Sequence, residues 1–284
     1  MCDVITKYGT FVPQYEENNV RHKYTKSLSF YQNGNIKSIA LNEQSDVKTK
    51  IGTFPAELIT FYENGTIKRL FPLNGKITGY WTEENEYELA EEFTFTFAFG
   101  TFTKKIISLQ FYESEDIKSI TFWPKNTVKI ETPIGGISVR VGLALYQSGM
   151  LKSVEPSKPT PIDTPIGVIN AYDPNVIGIS GDTNSLNFYE DGKLKSLITS
   201  LNIIEVIDEN GIRSTFKPKL KPNLFDNEVM DIVPLVVEFY EDRVKINNSI
   251  ENEYEINKYS FEIRSFNVNI KKSCSNCASC TNCV

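Results

Sequence analysis

Between residues 28 and 246 one alternation of apolar and polar positions recurs six times, most clearly as Phe61-Tyr62-Glu63-Asn64-Gly65-Thr66-Ile67-Lys68-Arg69-Leu70. An aromatic or aliphatic residue and a tyrosine lead into a short polar stretch, and an aliphatic-Lys-x-aliphatic run follows. The other copies start at Phe30-Tyr31, Phe111-Tyr112, Leu145-Tyr146, Phe188-Tyr189 and Phe239-Tyr240. They arrive at Ile36-Lys37-Ser38-Ile39, Ile117-Lys118-Ser119-Ile120, Leu151-Lys152-Ser153-Val154, Leu194-Lys195-Ser196-Leu197 and the shorter Val244-Lys245-Ile246. Between the halves stand Asn33-Gly34, Asn64-Gly65, Ser148-Gly149 and Asp191-Gly192, with Ser114-Glu115 and Asp242-Arg243 in the two remaining copies. β-Formers flanking a glycine that can take positive φ specify a β-hairpin, and self-similarity of this kind outranks any single local propensity.

The apolar positions also choose the loop length. A three-residue loop, Gln32-Asn33-Gly34 with Gly34 left-handed, sets Phe30 opposite Ile36 and leaves Leu28 on the same face. A two-residue loop would set Phe30 opposite Lys37 and move a charge onto the apolar face, which register disfavours. In the shortened sixth copy, a two-residue loop at Glu241-Asp242 keeps the equivalent apolar pair, Phe239 opposite Val244.

A second phrase alternates with the first. It reads Thr6-Lys7-Tyr8-Gly9, Thr49-Lys50-Ile51-Gly52, Thr132-Pro133-Ile134-Gly135 and Thr164-Pro165-Ile166-Gly167, with a looser form at Ala98-Phe99-Gly100. Glycine in this setting marks the turn of a second hairpin or a strand bulge, so the unit is two hairpins, about four strands. First aromatic positions are separated by 31, 50, 34, 43 and 51 residues, and such irregularity places inserts between hairpins. These fall near 72–92, 173–184 and 208–235; the acidic run of the first suits one or two helical turns, the second reads as loop, and Pro218, Pro222 and Pro234 of the third leave room for a short helix. The fold class expected is all-β, with antiparallel hairpins stacked in an extended sheet and little helix. Units of about 40 residues also fit propeller blades, so propeller-like closure is the alternative. Residues 1–271 form one repeat domain, followed by a Cys-rich tail at 272–284.

The Tyr-x-Asn-Gly-x-Ile-Lys-Ser core resembles the variant MORN repeats of bacterial proteins, the YwqK-like group described as toxin-antitoxin antidotes included. Asn74-Gly75-Lys76-Ile77-Thr78-Gly79-Tyr80 is similar to the Asn-Gly-Lys-x-x-Gly of ordinary MORN repeats. The resemblance covers about a dozen residues per copy. It implies antiparallel hairpins in an extended sheet and a role in protein or lipid binding. The Thr-x-x-Gly phrase and the Cys tail lie outside that repeat.

Composition and charge narrow the function classes. With 40% hydrophobic and 12% aromatic residues in 284, the chain can bury a substantial core. A net charge of -6 and a pI near 5.1, with no basic tract, disfavour a nucleic-acid partner. Met1-Cys2-Asp3-Val4 lacks a charged-then-apolar signal region, and no apolar run approaches the roughly 18 residues of a membrane helix, so a cytoplasmic protein without a transmembrane segment is expected. His22 is the single histidine, unaccompanied by a Gly-x-Ser-x-Gly or His-Glu-x-x-His motif, and no Gly-rich phosphate loop occurs. Carboxylates among Glu83, Glu84, Glu86, Glu88, Glu91 and Glu92 offer a pair for glycoside chemistry, against the plainer reading of a solvated acidic face. Trp81 and Trp123 offer a sugar platform, against the plainer reading of core aromatics. No catalytic residue is assigned.

Two function classes remain, with a glycan-active enzyme as a distant third. In the first, the repeat is a protein-binding scaffold. Lys37, Lys68, Lys118, Lys152, Lys195 and Lys245 recur at one place in the phrase, so stacking would line them up along an outer face. Such a row either solubilises the sheet or meets an anionic partner surface, acidic protein or lipid head groups. In the second, chemistry lies in Cys274, Cys277, Cys280 and Cys283. Their C-x-x-C-x-x-C-x-x-C spacing suits Zn(II) or a [4Fe-4S] cluster, with a reduced tail or a redox-active dithiol pair as the other readings.

Overall fold

The computed structural model describes residues 3–15, 20–23, 26–125, 127–176, 184–223, 230–247 and 249–267. Strands take up 59% of the described residues and helix 4%. All six aromatic hairpins belong to one 15-stranded sheet and follow one another in chain order. Leu28–Phe30 with Ile36–Thr49 comes first, Gly52–Phe61 with Ile67–Phe71 second and Gly100–Phe111 with Ile117–Phe122 third. Gly135–Leu145 with Leu151–Pro156, Leu186–Phe188 with Leu194–Thr199, and Leu235–Phe239 with Arg243–Ile246 complete the set, and Glu253–Glu255 forms the far edge. The sheet is open: its path ends at Leu28–Phe30 on one side and Glu253–Glu255 on the other, so the propeller-like alternative is not the arrangement adopted.

The turns follow from their residues. The Tyr31 amide donates to the Asn35 carbonyl and the Gly34 amide to the Tyr31 carbonyl, and Gly34 takes φ +84°, which closes the three-residue loop with Phe30 opposite Ile36. In the third copy Glu115 occupies the glycine position at φ 68°. The sixth copy has the two-residue loop, with Phe239 opposite Val244.

A bulge follows the loop in the first five copies. Phe30 pairs with Ile36 but Ser29 pairs with Ser38, so Lys37 is extra, and the same shift recurs in the other four. Its cause is legible in the Ile-Lys-Ser-Ile spacing. Apolar residues three apart fall on opposite faces of a plain strand, whereas one bulged residue returns both to the same face. The sixth copy, Val244-Lys245-Ile246, has the spacing of a plain strand and no bulge.

This device produces two continuous rows across the sheet. On the apolar face Ile39, Ile59, Leu70, Leu109, Ile120, Leu143, Val154, Leu186, Leu197, Val237 and Ile246 stand in successive cross-strand register, each 0% exposed. On the other face runs a mostly polar row: Ser29, Ser38, Thr60, Arg69, Gln110, Ser119, Ala144, Ser153, Asn187, Ser196, Glu238 and Lys245. At the usual ~4.8 Å between strands, each row is on the order of 50 Å long.

The Thr-x-x-Gly phrases are the second hairpins. Thr6, Thr49, Thr132 and Thr164 pair with Gly9, Gly52, Gly135 and Gly167, and each threonine hydroxyl donates to its glycine carbonyl. These hairpins contribute to the same buried cluster as the apolar row. Phe102 lies edge-on to Phe122, and Tyr8 packs on Phe61 while its hydroxyl accepts the Ile67 amide. In the first insert, Glu83–Leu89 is a helix with a Thr82 capping box. In the third insert Lys219–Pro222 pairs with Met230–Val233, and residues 224–229 between them, where the short helix the prolines suggest has room, lie outside the described residues.

Candidate functional site

The polar face carries a repeated side-chain arrangement that begins with a backbone shortage. Pairing between neighbouring hairpins stops at Ser38 opposite Thr60, because the bulge at Lys37 carries the strand out of register. The next carbonyl, that of Phe61, accepts the Tyr31 hydroxyl at 2.7 Å. Tyr62 donates likewise to Phe111 at 2.7 Å, Tyr112 to Leu145 at 2.8 Å, Tyr146 to Phe188 at 2.8 Å and Tyr189 to Phe239 at 3.0 Å. Each tyrosine thus ties its hairpin to the next one. Tyr240 belongs to the last hairpin, and its hydroxyl meets Glu238 at 3.3 Å instead.

The bulged lysines lie over these rings. Lys37, Lys68, Lys118, Lys152 and Lys195 place Nζ 5.7, 5.5, 5.9, 5.9 and 5.6 Å from the centroids of Tyr31, Tyr62, Tyr112, Tyr146 and Tyr189. An ammonium held over a phenol face is attracted by the ring quadrupole, so the bulge gives each lysine a seat. Lys245 does not share that position. The missing residue moves it into the polar row, opposite Glu238 and Glu253, and Arg243 covers Tyr240 at 5.3 Å. Burial pushes the Tyr146 phenol above its ordinary range, and Glu190 adds to the shift.

At the first two hairpins the row opens into a groove of about 620 Å³. Ser29, Ser38 and Thr60 lie along it, Lys37, Lys68, Lys26 and Arg69 line it with cations, and Phe30 and Tyr31 add rings. Arg69 also donates to Gln110 at 2.8 Å.

A separate buried ion cluster holds the first insert. Arg21 donates through Nε to Glu86 at 2.6 Å and through Nη1 to Glu57 at 2.6 Å, and the three side chains are 6%, 8% and 5% exposed. Trp81 Nε1 donates to Glu86 at 2.6 Å, as does the Gly75 amide at 3.0 Å, while the Asn74 amide donates to Glu57 at 2.8 Å. Burial opposes the Glu86 charge, but Arg21 and Trp81 outweigh it and hold this carboxyl below the usual range. A second enclosed carboxylate, Glu155, accepts the Ser185 amide at 2.7 Å and faces Arg140 at 3.4 Å; burial pushes it up.

These placements decide the other sequence candidates. Glu86 is buried and committed to Arg21, while Glu83, Glu84, Glu88, Glu91 and Glu92 are exposed, so the run supplies neither a working carboxylate pair nor a uniformly solvated face. Trp81 bonds Glu86, and Trp123 is 9% exposed with Tyr87 edge-on, so the two do not form a sugar platform. His22 sits in a two-residue strand opposite Lys76. Cys274, Cys277, Cys280 and Cys283 lie outside the described residues, and among the described residues no group of three or more His, Cys, Asp or Glu is placed to hold a metal. Among them, too, no helix is long and apolar enough to cross a membrane. Arg21 and the tyrosine hydroxyls escaped the sequence reading, although a tyrosine at one position in all six copies was the signal for the latter.

No family model, no curated protein and no solved structure matches the chain.

Proposed function

We propose that this protein is a binding scaffold, and that the lysine-over-tyrosine row on its polar face is the surface that meets an anionic partner, most directly an acidic protein surface. The observation that carries the reading is the seating of five lysines on five ladder tyrosines of one sheet face. Cations held in place by rings lose less freedom on binding than free lysines do. The MORN-repeat resemblance, with its implied role in protein or lipid binding, is compatible with this reading. A cytoplasmic setting belongs to the same proposal. The test is charge reversal: Lys68→Glu, Lys118→Glu and Lys152→Glu together abolish capture of the partner identified with the unaltered protein. A partner held equally well by the triple variant ends the reading.

A second reading rests on the C-x-x-C-x-x-C-x-x-C spacing alone. The four thiolates would bind Zn or a [4Fe-4S] cluster, which the reducing cytoplasm permits by keeping them free of disulfides. Anaerobically purified protein is expected to carry Zn or Fe that truncation after Lys272 removes while the β-body stays folded. Metal-free protein, or metal retained by the truncated chain, refutes it.

A further inference from the structure

The lysine row is not electrostatically uniform. Five of its lysines share one geometry, but the hairpin turns beside them differ. The second turn carries Glu63, the third Glu113, Glu115 and Asp116, the fifth Glu190 and Asp191, and the sixth Glu241 and Asp242, whereas the first, Gln32-Asn33-Gly34-Asn35, and the fourth, Gln147-Ser148-Gly149-Met150, have no acid. Lys26, Lys37, Lys68 and Arg69 line the groove at the first two hairpins, and no carboxylate among the described residues does. In a chain of net charge -6, this is a local concentration of cations rather than a general basic face. A membrane or a nucleic acid laid along the whole row would meet the acidic turns, so the complementary ligand is short.

The groove also opens at an edge. Leu28–Phe30 is the end of the sheet path, pairing among the described strands with Ile36–Thr49 alone, so its outer backbone groups face outward. Phe30 is 56% exposed there, whereas Phe61, Phe111, Phe188 and Phe239 at the same place in other copies are at most 3% exposed. Leu28, the end of the apolar row, is only partly covered. An extended segment paired on that edge directs alternate side chains to the two faces. One set extends the polar row past Ser29, on the face that carries Lys37, and the other extends the apolar row past Leu28.

We infer that the Leu28–Phe30 edge and the groove beside it receive an extended peptide of a partner protein, with acidic residues at alternate positions and aliphatic residues between them. The acidic side chains meet Lys26 and Lys37, the groove cations nearest that edge, and the aliphatic ones continue the apolar row. The inference rests on the proposed binding of an anionic partner and narrows it to one end of the row and one peptide pattern.

The probe is a short fluorescein-labelled peptide of alternating Glu and Val, titrated into the full chain by fluorescence anisotropy. A Lys/Val peptide and phosphatidylserine vesicles serve as comparisons. Saturable binding of the Glu/Val peptide is expected, weakened at least about tenfold by Lys26→Glu with Lys37→Glu. Phe30→Ala, at an exposed position that leaves folding intact, is expected to weaken it about fivefold by removing ring contact. Lys152→Glu with Lys195→Glu should leave it unchanged. Three outcomes overturn the inference: no saturable peptide binding, equal binding of the Lys/Val peptide, or vesicle binding without peptide binding. If the far pair of reversals abolishes capture of the partner and the near pair does not, the edge site is wrong while the broader reading stands. If neither pair matters, both fall.

Discussion

Removing one hydroxyl from the tyrosine ladder isolates its contribution. Tyr62→Phe keeps the ring under Lys68 and deletes the 2.7 Å bond to the Phe111 carbonyl. A neutral intramolecular hydrogen bond contributes about 0.5–1.5 kcal/mol net, and water can reach only part of the half-buried site to replace it. The loss should therefore be about 1 kcal/mol, or roughly 1–3 °C in Tm for a chain of 284 residues. Tyr31→Phe, Tyr112→Phe, Tyr146→Phe and Tyr189→Phe should cost similar amounts. Tyr31→Phe with Tyr146→Phe should be additive to within about 0.5 kcal/mol, since those rungs share no partner. Tyr240→Phe is the internal control. Its exposed hydroxyl meets Glu238 at 3.3 Å and ties no further hairpin, so its cost should be near zero. Urea unfolding followed by the fluorescence of Trp81 and Trp123 gives the values, with an unchanged slope showing that the native sheet is retained. If Tyr240→Phe costs as much as Tyr62→Phe, or the five rungs all cost nothing, the hydroxyls do not tie the hairpins together.

Arg21→Ala leaves Glu86 buried without its cation and Glu57 with Lys23 alone, and should cost about 3–5 kcal/mol; calorimetry showing under about 1 kcal/mol would mean that the cluster is replaceable by water. Acid should release the first insert. The folded-state value of Glu86 lies below the unfolded one, so its contribution is present above the unfolded carboxylate range and is lost as pH falls through the folded value. Trp81 fluorescence should report that loss, and Glu86→Gln should remove the acid dependence. Glu155 has the opposite sign: its folded value is raised, so its favourable contribution belongs to low pH and is lost as pH rises through the folded value, a loss that Glu155→Gln should abolish. Glu115→Gly relieves a side chain at φ 68° and gives up an exposed ion pair with Lys7, for a net gain of about 0.5–1 kcal/mol in urea unfolding.

What the sequence disclosed was whatever depends on neighbours in the chain. Hairpin order, the left-handed glycines and the Phe30-to-Ile36 register all follow from a dozen contiguous residues. The bulge escaped that reading, although its signal was there in the three-residue interval from Ile36 to Ile39 beside the two-residue interval from Val244 to Ile246. The Arg21 cluster was not legible, because it joins residues 36 and 65 positions apart whose sequence settings are ordinary polar segments. An acidic run cannot disclose which one of its carboxylates is buried. In the third insert, Pro222 reads as a breaker of regular structure, yet it ends an exposed strand, where a missing amide leaves no central ladder bond unmade.

The lysine row shows where repetition misleads. Six lysines at one place in a phrase read as six equal charges on one face, but position in a phrase differs from position in a sheet. One deleted residue takes Lys245 off its tyrosine and into the polar row, between Glu238 and Glu253. The remaining five share a seat but not a surrounding potential, which is set by turn residues that the hairpin geometry leaves free to vary. Asn33 or Asn64 beside a left-handed glycine serves the turn as well as Asp191 does; Asn33, Asn64 and Asp191 each cap an amide two residues on. Folding therefore fixes where the lysines sit and leaves open whether an acid stands beside them. Any selectivity along this face resides in those unconstrained turn positions, and at the first hairpin they leave Lys37 without a neighbouring carboxylate in its own turn.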